Sequence, residues 1–314
     1  NFVGGLAAYG HTVVAETDAN TGLYFANEEC RAGKFIGCVN NGSISIKATS
    51  GTKALGVSTY GGICGIVELD GVTFENCRNT GAISRVSDGE GSSSGSTCVG
   101  GILGRCAGTF VNDWKDNGAQ ICINGDKGYS VTVKGCENSG ALLSKCRHNG
   151  CLNNGNSPAR LDNVGGIVGA AVGKDDIKVT LSGCKNTGEI TGGWATSVNT
   201  TVLGGIIGMA QNVTMTDCGS NGAISALENT CVGAAGGFAG FVFKGVSVSG
   251  ASSCETAFKL AKLNKDLAML WGFAFGNVKE NATVDGASFG CTANIDGAEL
   301  ELSADNFGDY ICNT

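Results

Sequence analysis

Cysteine is the side chain with the greatest chemical potential in this sequence: sixteen occur in 314 residues, against only two histidines, His11 and His148. Thiols in such number pair as disulfides, bind zinc, or serve as small buried apolar groups. Structural zinc sites commonly draw two thiolates from one tight turn, and no Cys-x-x-Cys string occurs. The closest spacing, Cys146 to Cys151, brackets a Gly/Asn loop and marks the candidate local disulfide. An even, high count is what an oxidising compartment permits. With two histidines, imidazole catalysis and His-ligated metals have little to draw on, so no metal and no cofactor is expected.

Carboxylates are the other route to chemistry. The nearest acidic pairs are Asp88 with Glu90, Asp113 with Asp116, and Asp175 with Asp176. Glycoside hydrolysis needs two carboxylates facing each other across a cleft, one with a raised pKa. Acids this close in Gly/Ser or Lys-containing loops read instead as solvated, and they lack the Asp-x-Asp-x-Asp-Gly spacing of a calcium loop. Ser92-Ser93-Ser94 has no histidine near it in sequence and reads as a loop tip. Trp114 and Trp194 read as loop anchors rather than sugar-stacking platforms. The expectation is therefore a non-enzyme. Four Asn-x-Ser/Thr acceptors, at Asn41, Asn199, Asn212 and Asn281, are candidate N-glycosylation sites.

A repeat positions all of these residues. Gly-Gly-(Ile/Phe)-x-Gly recurs at Gly61, Gly100, Gly165, Gly204 and Gly236, with a degenerate copy at Gly4. After the copies at Gly4, Gly61, Gly100, Gly165 and Gly204 comes a cysteine with Gly four residues on and an aliphatic residue six on: Cys38, Cys77, Cys136, Cys184 and Cys218. Asn follows at Asn40, Asn79, Asn138, Asn186 and Asn221. Ahead of the last four cysteines stand Val72-Thr73-Phe74, Val131-Thr132-Val133, Val179-Thr180-Leu181 and Val213-Thr214-Met215, the period-2 pattern of a half-buried strand. The odd offset from each first Val to its Cys demands a bulge or corner between them, and Asn-x-Gly reads as a turn. One repeat thus reads as three short strands, Gly-Gly-Ile-x-Gly, Val-Thr-x and Gly-x-Ile-x, and three strands per coil with loops of unequal length describe a solenoid. In such a stack the five repeat cysteines form a ladder, either of buried thiols or of disulfides between coils. The Gly pairs mark close backbone approach rather than a phosphate cradle, because no helix follows them.

The predicted class is all-β: a β-solenoid, parallel β-helix-like, of about five to six coils with one short C-terminal helix. Residues 1–250 form the repeat solenoid and residues 251–314 a C-terminal helix and strand-like capping segment. The helix is read from Glu255 to Trp271, where Phe258, Leu260, Leu263, Leu267, Leu270 and Trp271 fall on one face.

At its Gly-Gly-Ile-x-Gly copies the sequence resembles the GLUG-motif repeats of bacterial and protist surface proteins, including β-helical regions of adhesins and of some streptococcal immunoglobulin A peptidases. The resemblance covers roughly residues 1–250. It implies a secreted or wall-associated protein. No His-Glu-x-x-His string occurs, so peptidase chemistry does not come with it. A net charge of −7 without a Lys/Arg cluster argues against nucleic acid. No apolar run reaches the roughly 18 residues of a membrane-spanning helix. The expected function is that of an extracellular or cell-surface structural protein, part of a surface fibre or wall layer, associating end to end with itself or with other surface components. The alternatives are an adhesin that binds glycans or a host surface through its variable loops, and a polysaccharide-acting β-helix enzyme.

Overall fold

The Val-Thr-x segments form strands because β-branched side chains at i and i+2 share one face of a pleated backbone. In the computed structural model Val72, Phe74, Val131, Val133, Val179 and Leu181 are buried, while Thr73, Thr132 and Thr180 between them are half-buried. The structure describes residues 33–48, 58–68, 70–87, 97–106, 130–145, 162–173, 178–193, 201–227, 232–261 and 270–301, with the short stretches 2–4, 7–11, 16–17 and 24–25 and residue 230. These residues are all-β, and no helix occurs among them.

Seven parallel coils stack on one another, and each coil contributes to four sheets. The first sheet takes the strand ending in the first glycine of each pair, as in Thr97–Gly100 and Asp162–Gly165. The second takes two consecutive segments of each coil, Cys64–Glu68 and Val72–Glu75 in the second coil. In the fifth and sixth coils these merge into the long strands Ile207–Thr216 and Ala239–Ser249, with a register shift at Ala210/Gln211. The third sheet is made of two-residue strands such as Arg78–Asn79 and Glu137–Asn138. The fourth runs from Ile44–Ala48 to Thr292–Ile295, and Ala298–Glu299 turns back antiparallel on its last strand.

Register is what makes the repeat visible in space. Val72 pairs with Val131, Phe74 with Val133, and Ile83 with Ile44 and Leu142, so like side chains form columns down the interior. The Ile102, Ile167, Ile206 and Phe238 column is fully buried. Each such side chain contributes about 1.5–3 kcal/mol relative to an exposed one, which a single coil cannot obtain alone. The predicted corner ahead of each cysteine is present. Gly37, Asn76, Gly135, Gly183, Asp217, Gly250 and Gly286, one per coil, all take positive φ between 53° and 72°.

Five readings from sequence are corrected. Gly-Gly-Ile-x-Gly is not one strand but the corner between the first and second sheets, its first glycine ending one strand and its last two residues opening the next: a Cβ on Gly101 would strike the Gly166 carbonyl and the Asn138 side chain. A coil has five strand segments rather than three, and the stack has seven coils rather than five to six. In place of a helix from Glu255, Ala257–Leu260 and Leu270–Gly272 are strands, while 262–269 lie outside the described residues. Nothing breaks at residue 250: Ser253–Cys254 and Ala257–Leu260 pair in register with the coil before them.

Candidate functional site

Cys38, Cys77, Cys136, Cys184 and Cys218 hold one position in five successive coils, immediately ahead of the third sheet. Each Sγ lies 3.5–3.8 Å from the carbonyl two residues back, and Cys77 and Cys184 lie closer still to carbonyls of the preceding coil, Phe35 at 3.2 Å and Val133 at 3.3 Å. All five are free thiols, and all but Cys38 are buried. Donation of the Cys136 S–H to Cys77 draws Cys77 down to about 6. At 1% exposure Cys77 nonetheless meets no electrophile. Cys98 and Cys106 stand on two different strands of one coil and in separate apolar clusters, Cys98 with Val202 and Met209, Cys106 with the main core. Burial pushes both up to about 12. Burial and a raised pKa disfavour the thiolate form of Cys98 and Cys106.

Two residues beyond the cysteines runs a second ladder that sequence reading took for turn formers. Asn40, Asn79 and Asn138 each donate one Nδ2 hydrogen to the Oδ1 of the next coil's asparagine, at 2.7, 2.8 and 2.8 Å, ending on Asn186. The other Nδ2 hydrogen goes to the glycine carbonyl two residues on, at 2.9–3.1 Å. Both Nδ2 donors of Asn40, Asn79 and Asn138 are satisfied, so these rungs leave no amide donor orphaned and fix the vertical register of the coils. In the fifth coil Ser220, not Asn221, occupies the position.

A polar cluster inside the solenoid was not read from sequence. Asp162 Oδ1 accepts from Ser144 Oγ at 2.7 Å, Thr97 and Thr201 flank Asp162 in register, and Arg85 stands next to Ser144 in the fourth sheet. Burial raises Asp162 to about 6, against the opposing pull of Arg85 and Ser144. Nearby, the buried Arg105 pairs with Glu68 at 2.8 Å. Its one signal in the sequence is positional: Asp162 takes the strand place that threonine holds in the neighbouring coils. A single buried carboxylate is not an acid/base pair. Among the described residues no three His, Cys, Asp or Glu side chains converge as metal ligands.

Of the sequence candidates, Cys146, Cys151, Asn199, Trp114, Trp194 and the three acidic pairs lie outside the described residues. Asn41 is exposed at its turn, its Oδ1 accepting from Thr80 Oγ1 at 2.7 Å, and Asn281 is exposed with φ 48°. Asn212 is buried. It is 7% exposed and its Nδ2 donates to the Gly173 carbonyl at 3.0 Å, so an oligosaccharide has no access to that nitrogen in the folded chain.

The chain joins the fourth sheet to the first at the same corner of every coil. The described strands on either side of 49–57, 88–96, 146–161, 194–200 and 262–269 belong to the fourth and first sheets, whereas those on either side of 107–129 both belong to the second. In-register coils with inward columns define a parallel β-solenoid. No family model matches the chain, and no curated protein matches it. One solved structure similar to it is a crystal structure from Bacteroides ovatus, of a protein provisionally described as an immunoglobulin A1 protease. The two are 15% identical, the match covers 95% of this chain and 74% of that one, and the TM-score is 0.48.

Proposed function

We propose that this chain is a non-enzymatic structural protein of the cell exterior, a segment or subunit of a surface fibre or wall layer built from GLUG-type repeats. The observation that supports this best is the asparagine ladder. Its interior amides make no contact other than coil to coil and coil to turn, the arrangement of a stack whose task is to hold its own register. Seven coils rise on the order of 34 Å at the spacing of paired strands. Electron microscopy of native material, with and without reductant, tests the reading. Fibres with an axial repeat near that rise support it, and dispersed single rods at high concentration overturn it.

A second reading has its own support. Segments of unequal length inserted between the paired strands of a regular stack are where scaffolds carry binding residues, which favours an adhesin that recognises glycans or a host surface. Shortening 146–161 is then expected to abolish binding while the far-ultraviolet circular dichroism of the coil is unchanged. Binding that survives removal of every such segment excludes it.

A further inference from the structure

The asparagine of each coil points at the next coil's turn glycine. An ideal Cβ on Gly140, Gly188 or Gly222 would lie 2.9, 2.9 and 3.0 Å from Nδ2 of Asn79, Asn138 and Asn186. At the C-terminal end of the stack the same two positions hold other residues, changed in pairs. Ser220 meets Thr256, hydroxyl to hydroxyl at 2.9 Å. One coil later Cys254 meets Cys291, with the sulfurs 3.2 Å apart. A position that takes amide over glycine, then hydroxyl over hydroxyl, then thiol over thiol is matched across the coil boundary each time.

We propose that Cys254 and Cys291 form a disulfide that staples the seventh coil to the sixth. The five repeat cysteines are not built for this. They occupy one register position, so their Cβ atoms run parallel at about the 4.8 Å strand spacing, wider than the roughly 3.8 Å mean of a disulfide. Cys254 and Cys291 are offset by two residues along the coil and converge instead. Cys254 is wedged against Gly237, where a Cβ would strike its sulfur. Cys291 lines a cavity of about 650 Å³ with Phe258, Lys259 and Leu300, through which an oxidant reaches the pair. The reaction is exchange with a small-molecule disulfide. Two protein S–H bonds and one external S–S bond break; one Cys254–Cys291 bond and two external S–H bonds form. The protein thiols are oxidised by two electrons and the external disulfide is reduced by two. The staple is independent of whether the rod is a fibre subunit or an adhesin.

The test uses the full chain, reduced and then equilibrated with glutathione buffers of rising oxidised fraction, acid-quenched, alkylated in denaturant and cut with trypsin. Lys259 and Lys279 separate the two cysteines, so they share a fragment only when linked. The expected result is that both lose alkylation together and appear as one linked fragment, while Cys136 and Cys184 remain alkylated. Full alkylation of Cys254 and Cys291 in the most oxidising buffer, or linkage of either to another cysteine, overturns the proposal. A Cys254→Ser/Cys291→Thr variant copies the Ser220–Thr256 pair and keeps the contact. It is expected to fold and to lose the rise in Tm that oxidation gives the parent. An equal rise in both chains also overturns the proposal.

Discussion

Asn138 has a partner above and a partner below: it accepts from Asn79 and donates to Asn186 and to the Gly140 carbonyl. Asn138→Ala therefore strands a buried donor on one side and buried acceptors on the other, an expected loss of about 2–4 kcal/mol. Asn40, at the first rung, donates upward to Asn79 but accepts from no earlier coil's asparagine among the described residues. Asn40→Ala is expected to cost about 1 kcal/mol. Urea unfolding of the two variants decides the point, since equal losses would mean that stacking of the amides is not what stabilises them. Asp162 gives a second test at this scale. Its folded pKa stands at about 6 against an ordinary 3.8, so the unfolded chain releases the proton first. Stability is then expected to fall as pH rises from about 4 to 6 and to stay level above, by on the order of 2–3 kcal/mol in all. Asp162→Asn keeps an acceptor for Ser144 and cannot ionise, so its stability should lack that component of the pH slope. Parallel pH profiles for parent and variant would show that the slope arises elsewhere.

The cost of a side chain at the turn glycine depends on whether a coil lies beneath it. A Cβ on Gly140 would strike the Gly81 carbonyl, whereas one on Gly42 would meet nothing closer than Asn40 Oδ1 at 3.6 Å. Gly140→Ala is expected to destabilise by about 2–4 kcal/mol and Gly42→Ala by less than about 0.5 kcal/mol, read from thermal unfolding of the two variants. This dependence on a neighbouring coil also explains which elements could be read from sequence. Val-Thr-x strands and the corner before each cysteine are local, set by side-chain alternation and by residues that accept positive φ, and both were legible. The two-residue strands of the third sheet are not local. Arg78–Asn79 exists as a strand only because Val39–Asn40 and Glu137–Asn138 pair with it. The Glu255–Trp271 segment misled for a related reason: Phe258 and Leu260 fit a helical face, but they are i and i+2 on a strand whose register the previous coil imposes. Cys254 and Cys291 escaped notice because they stand off the repeat's cysteine position, where Ser252 and Ala287 sit instead. Only the strand register aligns them with Asn and Gly.

Among the described residues the contacts between coils are chiefly nearest-neighbour, so the ends of the stack and its middle should open at different free energies. In the first coil Lys34, Ile36 and Val39 are exposed and Phe35, Ile44 and Ile46 only partly covered. Val131, Val133, Val179 and Leu181, two and three coils on, are buried on a strand paired from both sides. At the far end Ala298–Glu299 closes the edge of the fourth sheet, and the Cys254–Cys291 contact joins the last two coils. Fraying is therefore expected to begin at the N-terminal coil. Amide hydrogen exchange read by mass spectrometry should find residues 34–48 exchanging first, 131–145 and 179–192 last, and 282–295 between them, slowed further when the chain is oxidised. Uniform protection from end to end would mean that the seven coils open as one cooperative unit and that stability is not summed rung by rung. A gradient running the other way, fastest at 282–295 in oxidised protein, would mean that the C-terminal contacts do not hold the last coil in place.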